Sequence, residues 1–493
     1  MISNYAGQGW SGVMSLAFVP VYIHYLGIES YGLIGLFAIL QGWLTLFDMG
    51  MTPTLNREMA RFTAGAYDSK SIRDLLRTLE ILCLIIAIAI LIGIWLASDW
   101  LAAGWLQSVD LSKEVIAKSI AIIGWVSALR FIEGIYRGAI LGLQKHVLLN
   151  ILIAFFSTLR AVGAVGVLEW WSATIDSYFI WQGIVSVLTV LTFSILTHKS
   201  LPECQQKPRF SLESLSNVRR FAGGMMATTL LALLLTQVDK ILLSRLLNLT
   251  EFGYYVLAGS IAGSLSMLIG PLAQSIYPAM SKLAAQNDEK NLISVYHNAT
   301  QLLAVLLIPI VLTVCFYAQE IIYVWSGDQL LAKNTADILS VMIVGSLLNG
   351  IMSIPYMLQL AYGWSNFALK LNFIAVLILV PSIFYVVPKF GGLGSAWIWL
   401  LLNLGYITFS IHFMHMRILP KEKWRWYFSD LIAPSFGSII ALLLLWPMQP
   451  NVMTSRFTWL IFLVVSVILA IVISAALADR IRPRIIAAYR LLK

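Results

Sequence analysis

The chain has 493 residues, of which 59% are hydrophobic and only 12% charged, about half the charge of an ordinary soluble domain. So few charges cannot build a polar surface, and they fall between apolar runs of about 20 residues, the length that crosses a hydrocarbon core of about 30 Å. A soluble multidomain protein is excluded, and the net charge of +9 has to be read as membrane topology before it is read as affinity for nucleic acid.

Fourteen apolar stretches follow in chain order, at about 3–26, 32–56, 79–98, 116–143, 147–168, 176–197 and 221–246, then 252–281, 298–318, 335–361, 367–388, 391–414, 429–447 and 457–478. Helices are expected throughout, because a membrane strand would alternate polar and apolar residues. Trp95, Trp100, Trp170, Trp171, Trp424 and Trp426 sit near span ends, as in an interfacial belt. His24, His412 and His415 read as interfacial too. Cys83 and Cys315 lie in apolar runs and Cys204 in a polar loop, with no CxxC, so neither a disulfide framework nor a metal site is expected. No Lys or Arg precedes Arg57, which argues against a signal peptide.

An even span number puts both termini on one side. With that side cytoplasmic, the inner segments hold 24 Lys and Arg and the outer ones 6. This matches the positive-inside rule, with the basic tail Arg480, Arg482, Arg484, Arg490 and Lys493 inside against anionic lipid.

Sliding the chain by 221 places Leu26 on Leu247, Gly32 on Gly253, Gly42 on Gly263 and Met59 on Met280. Tyr31 meets Phe252, Arg61 meets Lys282 and Asp68 meets Glu289 in the same register. The shift equals six helices and restores orientation, so it describes a parallel repeat with a site expected between the copies. The expected organisation is an all-α polytopic membrane protein with a six-helix lobe over 1–197 and a linker over 198–220 containing Pro202 and Pro208. A second lobe covers 221–416, and 417–493 adds two helices and the basic tail.

The residues Tyr25-Leu26-Gly27-Ile28-Glu29-Ser30-Tyr31-Gly32, Phe47-Asp48-Met49-Gly50 and Asn56-Arg57-Glu58 resemble bacterial polysaccharide exporters. So do Gln237-Val238-Asp239-Lys240, Glu251-Phe252-Gly253-Tyr254-Tyr255 and Gln359-Leu360-Ala361-Tyr362-Gly363. The chain is similar to Wzx-type flippases of the multidrug/oligosaccharidyl-lipid/polysaccharide exporter superfamily, which includes the MATE transporters. The resemblance implies transfer of undecaprenyl-diphosphate-linked oligosaccharide, of O-antigen or capsule type, across the bacterial inner membrane by alternating access around a cationic lumen. The implied partners are the lipid-linked oligosaccharide, membrane lipids, and polysaccharide polymerase and chain-length machinery, with no nucleic acid and no cofactor. Coupling to H+ or Na+ stays open.

Charges at membrane depth are functional candidates, each costing about 2.5–3.5 kcal/mol on insertion scales. Arg130, Glu133 and Arg137 share one narrow face, with Gly134, Gly138 and Gly142 beside it at a spacing that admits a close neighbouring helix. Arg130 and Arg160 are each 15 residues from Lys145, about 22 Å from the cytoplasmic end if an antiparallel hairpin turns there. Arg130, Arg137 and Arg160 are therefore candidate substrate contacts, guanidinium being suited to phosphate through paired donors, and Lys240 is a fourth, with snorkelling to the interface as its alternative. The alternative is that Glu133 neutralises Arg130 or Arg137 and merely fixes packing. Asp48, Glu133 and Asp239 are candidates for gating or coupling, with a helix-bending role for Asp48 beside Gly50 as the alternative. Asn349, Ser353 and Tyr356 replace charge in the second half and read as a polar-aromatic surface for sugar.

Three other functions compete. A lipid II flippase also has fourteen helices, but the basic N-terminus expected of that family is missing. A twelve-helix drug antiporter lacks the extra helix pair. A membrane glycosyltransferase or polymerase needs a sizeable outer loop, whereas the longest here spans about 98–115.

Overall fold

The computed structural model describes residues 2–202, 208–451 and 455–483, with side chains at all of these except 2–6, 8 and 212–228. The expectations for Cys204, Arg484, Arg490 and Lys493 lie outside the described residues. The described chain is helical from Ile2–Ala17 to Arg456–Leu477, and its one extended pairing is an isolated bridge between Gln107 and Asn248.

Helix starts are set locally. Asp68, Ser112, Thr174, Asp288 and Ser455 each accept a hydrogen bond from the backbone N–H three residues on, and Asp328 takes two such N–H groups. These caps satisfy donors that the first helical turn leaves unpaired. Breaks follow glycine: Gly27 (φ 79°) and Gly391 (φ 59°) interrupt Val19–Leu44 and Ser365–Gly405 in conformations that a side chain would strain.

Eleven described helices are long and apolar enough to cross a membrane, against the fourteen stretches read from sequence. The difference lies in where helices are cut. Ser365–Arg417 runs through two expected spans with the Gly391 break between them, Val19–Leu44 straddles the first two, and Leu212–Leu246 is not among the eleven. Their outward faces are apolar: Leu84, Ile88, Ile92 and Trp95 form an exposed stripe along Ser69–Trp100. Such a stripe is a large apolar patch in water and an ordinary surface in lipid. Trp170 is 87% exposed, as an interfacial residue should be, but Trp426 is fully buried. Trp426 packs against the ring of His415, which is also buried, so both depart from the expected interfacial placement.

The chain forms two compact units, Met1–Gly253 and Tyr254–Lys493. In the first, a methyl at Gly138 would lie 2.8 Å from Thr52 Cγ2, and one at Gly142 2.3 Å from Asn56 O. The helix admitted by the glycine stripe of Lys113–Gly142 is therefore Met51–Thr63. In the second unit, Gly437 lies against the Ser474 backbone, and Ser438 and Ser474 share a hydrogen bond of 2.7 Å. Small residues let Ala433–Leu445 and Arg456–Leu477 pack closely where no water drives them together.

Two glycines that the 221-residue shift aligns make close contacts within the first unit. A methyl on Gly32 would meet Leu249 O at 2.7 Å, and one on Gly253 would meet Ile28 O at 2.5 Å. Gly32 and Gly253 are repeat partners, as are Ile28 and Leu249, so the two contacts are reciprocal. Gly32→Ala and Gly253→Ala should each cost about 1–3 kcal/mol by overpacking. Unfolding of the purified chain in detergent should show losses of similar size for the two variants.

Candidate functional site

Five helices of the first unit line the site. His146–Trp170 returns antiparallel to Lys113–Gly142 after a tight turn in which Gln144 adopts φ 59°. Equal spacing from that turn brings Arg130 and Arg160 to one cavity, of about 290 Å³. Its wall also includes Ser11, Gln41, Glu133, Arg137 and Thr189, with Leu152, Ile153, Phe156 and Phe193 among its apolar lining. This volume is at the low end of ligand clefts, room for an anionic group but not for an oligosaccharide.

Of the two partners read from sequence for Glu133, Arg137 lies at ion-pair distance (3.5 Å) and Arg130 does not; the carboxylate also takes Arg160, at 3.1 Å. Arg160 is further fixed by hydrogen bonds from Nη1 to Ser186 Oγ (3.0 Å) and from Nη2 to Thr189 Oγ1 (3.1 Å). Those two hydroxyls donate to the backbone, Ser186 to Gln182 O and Thr189 to Val185 O, which leaves their lone pairs to accept from the guanidinium.

Arg130 has no carboxylate at ion-pair distance among the described residues. It donates to Gln182 Oε1 at 3.1 Å and lies over the Phe37 ring at 4.8 Å. Its Nε is buried with no hydrogen-bond partner among the described residues. Amide and ring orient a guanidinium without cancelling its charge. The three arginines and one carboxylate of the cavity thus sum to a formal +2.

Gln182, Ser186 and Thr189 were not singled out in the sequence, nor was Phe37. The signal was present, because Gln182, Ser186 and Thr189 at i, i+4 and i+7 fall on one face of the Ile175–Ser200 helix.

The other candidates lie elsewhere. Asp48 accepts from Thr52 N (3.1 Å) and Thr52 Oγ1 (2.6 Å) at the turn where Met49 and Gly50 take positive φ, so it caps Met51–Thr63. Asp239 and Lys240 reach each other at 3.4 Å, and Lys240 Nζ donates to Thr236 O at 2.6 Å. Neighbours on a helix diverge by about 100°, and the flexible lysine stem closes that gap. In the second unit Asn349 donates to Asn403 Oδ1 at 2.9 Å, which ties two helices together.

The sequence matches the polysaccharide biosynthesis protein family over residues 25–334. It is 18% identical over 374 residues to a Shigella flexneri protein named "Putative O-antigen transporter", covering 76% of this chain and 87% of that one. Among solved structures it resembles the lipid II flippase MurJ in an inward closed conformation, with a TM-score of 0.74 at 16% identity, covering 96% of this chain and 98% of that one. It also resembles an inward-facing multidrug resistance MATE transporter of the MOP superfamily, with a TM-score of 0.67 at 15% identity, covering 86% and 96%. These structural likenesses establish the fold.

Two outcomes follow from the geometry. Glu133→Gln leaves Arg160 and Arg137 without their shared carboxylate and should cost about 3 kcal/mol, part of which Arg160→Gln recovers in the double variant; unfolding in detergent measures the cycle. Asp48→Asn keeps a capping oxygen and should leave membrane protein level and surface polysaccharide unchanged in a complemented deletion strain.

Proposed function

The chain belongs to the polysaccharide biosynthesis protein family, and on that premise we propose that it is a flippase for undecaprenyl-diphosphate-linked oligosaccharide. The reading places a multi-pass protein in the bacterial inner membrane with both termini cytoplasmic, moving repeat units of O-antigen or capsule type by alternating access. It is a transporter and not an enzyme. The oligosaccharide-lipid is its substrate, and the polymerase and chain-length machinery receive the product.

One observation supports the reading: Arg130 lines the cavity with no carboxylate at ion-pair distance among the described residues. An unpaired cation in hydrocarbon is costly, so a cavity that keeps one is suited to an anion that arrives and leaves. Arg130 would take one phosphate through its fork, while Arg160, clamped by Ser186 and Thr189, holds the second in a fixed direction. Glu133 would keep the empty cavity below its full charge by sharing Arg160 and Arg137. The lipid-facing apolar stripes leave room for the polyprenyl chain to stay in the bilayer.

A charge-assisted hydrogen bond is worth about 1.5–3 kcal/mol, or roughly ten- to hundred-fold in affinity. Arg130→Ala and Arg160→Ala should therefore abolish surface polysaccharide in a deletion strain at unchanged protein level in the membrane. Arg130→Lys, which keeps the charge but loses the planar fork, should give an intermediate amount. Full complementation by either alanine variant would overturn the phosphate role. Complementing strains that lack flippases for different repeat units, including lipid II, tests the substrate class.

A further inference from the structure

The second unit holds a buried polar cluster that the anion cavity does not use. His297, on Glu289–Phe316, has no exposed surface, yet both ring nitrogens meet carboxylates: Nδ1 is 2.5 Å from Asp430 Oδ2 and Nε2 is 2.9 Å from Glu422 Oε2. A carboxylate oxygen without hydrogen only accepts, so two such contacts need two hydrogens. A neutral imidazole brings one. The second must sit on the ring, as imidazolium, or on a carboxyl group.

The surroundings agree with that extra proton. Asp430 is fully buried and its Oδ1 has no hydrogen-bond partner among the described residues, so it is an available seat for the proton in the carboxyl form. The facing charged groups are Glu422, Asp430 and Asp479 against Lys423, Arg425 and Arg480, with Arg425 3.9 Å from Glu422. Nearby His415 donates Nδ1–H to Ile411 O at 3.0 Å, and its Nε2 lies 3.5 Å from the Tyr296 hydroxyl. The Tyr427 hydroxyl donates to Ile407 O and adds no charge.

The cluster also has a mechanical position. One turn beyond His297, Gln301 donates to Ser429 O (3.1 Å) and Asp479 Oδ1 (2.6 Å), and its Oε1 accepts from the backbone N–H groups of Arg480 and Ile481. Two side chains on one helix face thus hold both C-terminal helices. Gln301 does so with fixed chemistry and His297 with a proton.

We propose that Asp430, His297 and Glu422 form a proton-binding site whose occupancy keeps the helix after Glu422 docked on Glu289–Phe316. Losing the proton leaves two carboxylate acceptors facing a ring with a single N–H, and the contact at one nitrogen becomes repulsive.

The test uses the full-length chain in lipid nanodiscs with 15N-labelled histidine, of which there are six. Nuclear magnetic resonance across a pH series reports the hydrogens on each ring, and hydrogen exchange of residues 423–432 reports docking. At pH 7 one imidazole, absent in His297→Gln, should carry hydrogen on both nitrogens or lie beside a protonated carboxyl. Over the pH interval in which that proton is lost, exchange of 423–432 should rise at least ten-fold beyond the intrinsic rate. His297→Gln should show no such step. Glu422→Gln, at the more accessible edge of the cluster, keeps an acceptor oxygen and should move the step to lower pH. A cluster without the second proton at pH 7, a wild-type segment whose exchange shows no step, or a Glu422→Gln variant with an unmoved step would overturn the proposal.

Discussion

A charge buried in a membrane protein has to be answered by the protein, and the way Glu133 is shared decides how the first unit answers it. One carboxylate lies between Arg160 and Arg137, and a polar helix face holds Arg160 from the other side. Arg130 is left to an amide and an aromatic ring. The same three arginines with a second carboxylate would make a sealed packing element. With one, they make a cavity whose wall carries a formal +2 and whose side chains are held in place by their own hydrogen bonds.

The fold was legible because lipid permits so few alternatives. Every backbone group must be satisfied within the chain, so apolar runs of span length mean helices. The exact division into spans was less legible. Gly391 breaks a helix without ending it, and hydropathy does not register a change of φ. Arg130, Glu133, Arg137 and Arg160 could be grouped from periodicity and from equal distance to one turn. Which arginine the glutamate would choose could not, because that depends on Ser186 and Thr189 turning their lone pairs toward Arg160 on a third helix.

His415 and Trp426 show the opposite error. Their positions near span ends implied the membrane interface, but tertiary packing buries both. His297 was not singled out at all, because a lone histidine in an apolar run says nothing until Glu422 and Asp430 arrive from more than 120 residues away. Long-range polar contacts of this kind fix a unique arrangement at the expense of tolerance to substitution. In the second unit they join the two terminal helices to the helix carrying His297 and Gln301.

The reciprocal contact of Gly32 with Leu249 and Gly253 with Ile28 has the form of an isologous interface. Between two separate half-length chains it would be the self-complementary patch of a two-fold dimer, each side offering one glycine and one carbonyl. Within a single chain the partner is tethered, so assembly no longer depends on concentration.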